Sequence, residues 1–145
     1  MLRAPHWNPA LRGSFAELAL AHGRGHLARA VYEGTACSIR DALGVLGDEA
    51  DSGEAPAVVG GGARSAVWVR ILAGVLERPL RPLPDADSAL GAALLGRDAL
   101  GLPSAPALAA RADPPVVPDP AQRTTSRALY QRYRALQPRL FSLYG

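Results

Sequence analysis

Val58-Val59-Gly60-Gly61-Gly62-Ala63-Arg64-Ser65 decides how this chain is read. An apolar pair empties into three glycines, and a helical pattern restarts behind them through Trp68, Ile71, Leu72 and Val75. The stretch therefore predicts a strand, a tight turn and a helix. Glycines take positive φ without the steric penalty of a Cβ and let another group come close to the main chain, and Ser65 stands where it can cap the helix. A helix start presents unpaired N–H groups and the positive end of a macrodipole, which suits a phosphate or the edge of a nucleotide. Glycine is also the ordinary residue of strand-to-helix turns, so from these residues alone the loop is either a ligand cradle or simply a turn. If it is a cradle, a side chain at Gly62 would stand where the ligand must lie.

Around that stretch the bulk properties describe an ordinary folded domain. A chain of 145 residues is long enough to bury roughly two-thirds of its unfolded surface in one core. Its composition is 48% hydrophobic and 20% charged, and it has no apolar run of ~18 residues that would span a bilayer. The start, Met1-Leu2-Arg3-Ala4-Pro5-His6-Trp7, lacks the apolar centre of a signal peptide, and the lone Cys37 has no partner for an internal disulfide. Both point to the cytoplasm and away from a membrane. The formal charge is +3, yet all 16 basic residues are arginine and they are scattered, which argues against nucleic acid as a partner. The lack of lysine excludes any mechanism that depends on a catalytic or phosphate-binding lysine, a Walker A loop included.

Upstream, Pro5, Pro9 and Gly13 surround His6, Trp7 and Asn8 in a composition that favours an ordered loop. His22 to Leu46 carries two apolar stripes at helical spacing, one through Leu27, Val31 and Val45 and one through Tyr32, Ala36, Ile39 and Leu43, so this helix is expected to be buried on most sides. Its remaining strip holds Arg29, Glu33 and Arg40, the first two spaced to pair at the surface. Gly34 suggests close approach by another element, and Gly47 is the expected stop. Ala57 to Gly60 reads as a buried strand. Arg78 to Leu83 alternates as a strand would, and its prolines argue for an edge position. Asp87 or Ser88 is placed to cap a helix from Ala89 to about Leu100, whose small residues suit close packing. Six prolines between Pro103 and Pro120 read as an extended tether over the surface. A last helix follows, with Leu129, Tyr133, Leu136 and Leu140 on one stripe and an interruption or kink expected at Pro138.

One alternative for the glycine loop is a dinucleotide fingerprint, with Gly60-x-Gly62 after a strand and Asp85 at the end of the next. That reading makes the chain part of an oxidoreductase. A longer constellation points elsewhere. Gly13-x-Phe15-x-Glu17-Leu18 is followed after seven residues by His26-Leu27-x-x-Ala30-Val31-Tyr32-Glu33-Gly34. Arg3-Ala4-Pro5-His6-Trp7-Asn8-Pro9 precedes it, and Val59 to Ser65 and Ser88-Ala89-Leu90-Gly91-Ala92-Ala93 follow. In this order and at these distances the motifs resemble the C-terminal domain of the FGGY carbohydrate kinases, most closely the xylulokinase-like members. Glu17 departs from the pattern, which has glycine there.

The resemblance implies an α/β fold, part of an actin-like or ribonuclease-H-like ATPase domain with an incomplete sheet and flanking helices. Residues 1–102 are then expected to form the rear of that domain, while the proline content makes 103–122 a tether and the apolar stripe makes 123–145 a C-terminal helix docking on the domain. The resemblance also implies that Gly60, Gly61, Gly62, Ala63 and Ser65 hold the adenosine of ATP, and that magnesium and a sugar belong to the complete kinase. The family's catalytic aspartate and phosphate loops would precede Met1, so no catalytic residue and no metal ligand is assigned here, and the chain is expected to be inactive alone. Asp41, Asp48, Asp51, Asp85 and Asp87 read as solvated or capping carboxylates. The expected partners are an upstream kinase half or a second copy of the chain; a non-catalytic nucleotide-binding or interaction module with the same fold is the alternative.

Overall fold

The computed structural model describes residues 8–47, 53–103 and 113–143; the expectations placed on His6, Trp7, Asp48 and Asp51 lie outside them. The elements run α1 (Arg24–Leu46), β1 (Ala57–Val59), a 3-10 turn (Gly61–Arg64), α2 (Ala66–Leu76), β2 (Arg81–Leu83), α3 (Ser88–Ala99), a second 3-10 turn (Pro120–Gln122) and α4 (Arg123–Leu143). β1 and β2 pair in parallel, Ala57 opposite Arg81 and Val59 opposite Leu83. Parallel strands need a crossover between them, and α2 is that crossover, so the centre of the molecule is a β–α–β unit.

Local chemistry places the boundaries. The Ser65 hydroxyl accepts the Trp68 N–H at 3.3 Å, and the Asp87 carboxylate accepts that of Leu90 at 2.9 Å, each taking up a donor that a helix start leaves unpaired. Gly47 ends α1 at φ 61 and Gly101 follows α3 at φ 63. Arg29 and Glu33 pair at 2.7 Å on the exposed face of α1.

The core is small and centred on α2. Val69, Leu72, Ala73 and Val75 face Ala36 and Cys37 of α1 and Leu80 before β2, with Leu129, Tyr130 and Tyr133 of α4 packed against them. Burial falls short of the expectation elsewhere. α1 buries only Ala36, Cys37 and Asp41, while Val31 and Val45 stay 54% and 74% exposed. Nothing stands within 4 Å of a Cβ built on Gly34. β1 is not a buried strand either, with Val59 half exposed, and α3 buries none of its residues. Periodicity reports which face is apolar and says nothing of whether a neighbour covers it; among the described residues none does.

Two further corrections concern the prolines. β2 is not an edge: Leu80 exchanges both backbone bonds with Val116, and the Pro82 carbonyl accepts the Asp113 N–H at 3.0 Å. β2 thus lies between β1 and residues 113–116. Pro82 tolerates this because only its carbonyl is called upon. α4 also runs through Pro138 without interruption. Pro138 is exposed, so water can serve the carbonyl one turn back that a proline leaves without a donor.

Candidate functional site

The glycine turn joins β1 to α2. Of its three glycines only Gly60 uses positive φ, at 74°, and its N–H donates to the Ala86 carbonyl at 2.7 Å. The turn is then tied off by Ala63 N–H to Gly60 O at 3.0 Å and Ser65 N–H to Gly62 O at 3.1 Å. Arg64 reaches across to the Pro84 carbonyl at 3.1 Å, which anchors the turn to the end of β2. Five candidate residues, Gly60, Gly61, Gly62, Ala63 and Ser65, therefore lie together in one turn and cap. Ala63 is buried against the unit beneath, and the Ser65 hydroxyl is occupied as the helix cap.

The glycines differ in what surrounds them. A Cβ at Gly60 or Gly61 would meet nothing within 4 Å, so the space beside these two Cα atoms is open. A Cβ at Gly62 would come within 3.0 Å of Trp68 Nε1 and 3.1 Å of its Cδ1. Trp68 thus approaches Gly62 closely from within the chain. The indole is in turn in tilted contact with Tyr32 of α1, ring centroids 5.8 Å apart. Behind the turn, a cleft of about 320 Å³ runs between Arg64, Val69, Pro84 and Pro114.

A second polar centre sits at the far end of α2. Asp41, expected to be solvated, is 4% exposed and accepts hydrogen bonds from three residues of α4: Tyr130 Oη at 2.5 Å, Gln137 Nε2 at 2.6 Å and Arg134 Nη1 at 3.1 Å. Burial on its own pushes its pKa up, but those three donors outweigh it and hold the carboxyl below the usual range. Glu77 is bonded by Arg40 at 3.0 Å and Arg127 at 2.8 Å; its burial is likewise outweighed by these donors, which lower its pKa. Arg40 lies 4.2 Å from the centre of the Tyr130 ring and also donates to the Val75 carbonyl at 2.6 Å. Next to Asp41, burial first and then Glu33 and Asp41 push the Cys37 thiol to about 12, leaving it an inert thiol. Nothing in the sequence around Asp41 signals this burial, because its donors lie 89 to 96 residues further on. Trp68 was legible as a core residue, three positions after the cap, but not as a contact of the loop.

The description of the C-terminal domain of the FGGY family of carbohydrate kinases matches residues 1–100. The chain is 38% identical over 102 residues to a glycerol kinase of Rhodospirillum centenum, covering 70% of this chain and 20% of that protein. It is 38% identical over 97 residues to the xylulose kinase of Escherichia coli, covering 66% and 20%. Among solved structures, the ligand-bound xylulose kinase of Lactobacillus acidophilus superposes with a TM-score of 0.80 at 30% identity, over 99% of this chain and 30% of that one. The chain thus spans about a fifth of the length of the curated relatives it matches. A carbohydrate-kinase match displaces the dinucleotide reading, and Asp85, its proposed ribose ligand, is an exposed residue of the turn after β2. Through these residues the chain belongs to the FGGY family of carbohydrate kinases, within that family's C-terminal domain.

Proposed function

We propose that these residues supply the adenosine-holding side of the ATP cleft of a sugar kinase and do not transfer phosphate by themselves. One observation carries the reading: at the turn that opens α2, nothing stands within 4 Å of where a side chain would be on Gly60 or Gly61, an open face that a purine nucleoside can approach without meeting a side chain. Gly62, Ala63 and Ser65 complete the turn, and the N-terminus of α2 adds its dipole. Phosphoryl transfer also requires a metal-held triphosphate and a positioned base. In this reading magnesium and the sugar are held by other parts of a complete kinase.

In this reading residues 1–102 form the rear of the kinase domain, 103–122 a tether and 123–145 a helix that docks on it. The protein works in the cytoplasm with neither nucleic acid nor membrane as partner; no described helix is long and apolar enough to cross one. The uncovered Val31, Tyr32, Val59 and Val67 are the surface on which a kinase half, or a second copy, would sit.

Amide chemical-shift titration of the 145-residue chain with ATP, adenosine and NAD tests the nucleotide reading. Equal weak shifts for ATP and adenosine centred on Gly60 to Ser65 are expected, with a dissociation constant no tighter than ~1 mM, about 4 kcal/mol. An NAD preference abolished by Asp85→Ala would overturn it. Absence of any shift would favour a non-catalytic interaction module. In a coupled assay of ADP release no sugar-dependent turnover is expected, and turnover persisting in pure protein would defeat the proposed inactivity.

A further inference from the structure

We infer that Trp68 is a positioning residue for the glycine turn, its indole holding Gly61 and Gly62 in the 3-10 conformation that leaves the side-chain positions of Gly60 and Gly61 open. The inference rests on the nucleotide reading above for its functional meaning, but its structural part stands on contacts of this chain alone.

Three contacts close a ring. The Ser65 N–H donates to Gly62 O at 3.1 Å, the Trp68 N–H donates to the Ser65 hydroxyl at 3.3 Å, and the Trp68 indole returns to within 3.0 Å of where a Cβ of Gly62 would be. The backbone of Trp68 is fixed by the cap, so its side chain has a defined origin relative to the turn it touches. Tyr32 limits the indole from α1, the two ring centroids 5.8 Å apart and the planes tilted by 39°. The packing of α1 on α2 is thereby passed to the loop through one rigid side chain with two rotatable bonds.

The same geometry explains why the three glycines are not equivalent. Gly60 is required by its φ of 74°. Gly62 has an ordinary φ, and a Cβ there would require the indole to give by a few tenths of an ångström. Gly61 has neither constraint, and a Cβ there would meet nothing within 4 Å, which leaves that position free for a ligand. Without the indole, the Gly62 peptide has no neighbour on its inner side and the turn can relax toward it, which would change the direction of the Gly60 and Gly61 peptides.

The test uses the full chain with Trp68→Ala, Trp68→Phe, Gly62→Ala and the double variant Gly62→Ala with Trp68→Ala. The first readout needs no nucleotide: hydrogen exchange at the Ala63 and Ser65 amides, compared with Leu72 and Val75 further along α2. Trp68→Ala should speed exchange at the two loop amides about tenfold or more while the α2 amides change less than about threefold, and Trp68→Phe should recover most of the protection. Gly62→Ala should resemble Trp68→Ala, because its methyl displaces the indole. The second readout is the adenosine dissociation constant, expected to rise about fivefold or more in Trp68→Ala and to return to within about twofold of wild type in Trp68→Phe.

Loop exchange in Trp68→Ala within twofold of wild type would overturn the inference, as would equal acceleration at loop and helix amides, the signature of a core residue only. If Trp68→Ala does not fold, the decision passes to the other single variants: Gly62→Ala must accelerate exchange at the loop alone and Trp68→Phe must not. With a folded Trp68→Ala background, adding Gly62→Ala must cost less than it does in the wild type; an equal cost shows that the indole is not what Gly62 accommodates. If wild-type protein shows no adenosine shift, the nucleotide reading fails, while the exchange data still decide whether Trp68 sets the turn.

Discussion

The two ends of α2 are built on opposite plans. At its C-terminal end every strong polar group has a partner: Arg40 takes the Val75 carbonyl and Glu77, Arg127 takes the other oxygen of Glu77, and Tyr130 lies against Arg40 while binding Asp41. A cation there also complements the negative end of the helix dipole. At its N-terminal end one serine supplies the cap, and the space a side chain would take at Gly60 and Gly61 is open. The difference separates a joint from a candidate site. The saturated end fastens α4, which lies beyond the residues matched by the family; the bare end is where another molecule can still make main-chain contact.

Removing the joint should give the largest effect. Asp41→Ala leaves the partly buried Tyr130 and Gln137 and the largely exposed Arg134 without their acceptor, and should cost about 1–3 kcal/mol. Denaturant titration measures the loss, and proteolysis within α4 at protease levels that spare the wild type would show which element is released. A loss below about 1 kcal/mol would mean that apolar packing by Leu129 and Tyr133 holds α4 without the joint.

Acid should undo the same end more gradually. Asp41 and Glu77 both have folded-state pKa values lowered from their ordinary ones, so the stability they contribute is fully present above the unfolded value near 4 and is lost as the pH falls below it toward the folded values. Near-ultraviolet circular dichroism of the tyrosines should therefore weaken below about pH 4 before the helical signal does, and Asp41→Asn should remove much of that transition. Coincident loss of both signals would contradict a separable joint.

The open side predicts association. β1 offers one strand edge that no described element pairs, beside the half-exposed Val59 and Val67, and an unpaired edge with apolar neighbours recruits other chains. Sedimentation of the isolated 145-residue chain should show dimers or larger species; a monodisperse monomer with a sharp cooperative thermal transition would break the contrast between the two sides.

The smallest expected effect concerns Glu17. It stands at φ 58, a conformation that costs a side-chain-bearing residue on the order of 1 kcal/mol relative to glycine. Glycine, which the resembling motif has at that place, takes this conformation without that cost. In return its carboxylate pairs with Arg132 of α4 at 3.2 Å, both side chains more than 70% exposed, an interaction of little worth. Glu17→Gly should stabilise the chain by about 0.5 kcal/mol, read as a higher urea midpoint at unchanged slope. A lower midpoint would show that the Arg132 pair contributes more to docking than its exposure indicates.

What the sequence determined by itself was local, together with the family. Ser65 and Asp87 as caps, Gly47 as a stop, the strand before the glycines and the helix after them all depend on interactions spanning about four residues, and those leave a pattern along the chain. The order and spacing of the motifs between Arg3 and Ala93 were enough for the α/β class and the carbohydrate-kinase relation. Only the tertiary structure decided that Asp41 is buried and not solvated, that Trp68 stands beside Gly62, that β2 lies between two neighbours, and that among the described residues much of α1 and most of α3 stay exposed. Each of these depends on which groups meet across tens of residues, as Asp41 meets Gln137 from 96 positions away. Apolar periodicity and residue type constrain which face of an element seeks cover, and the partner that arrives there is set by the packing of the whole.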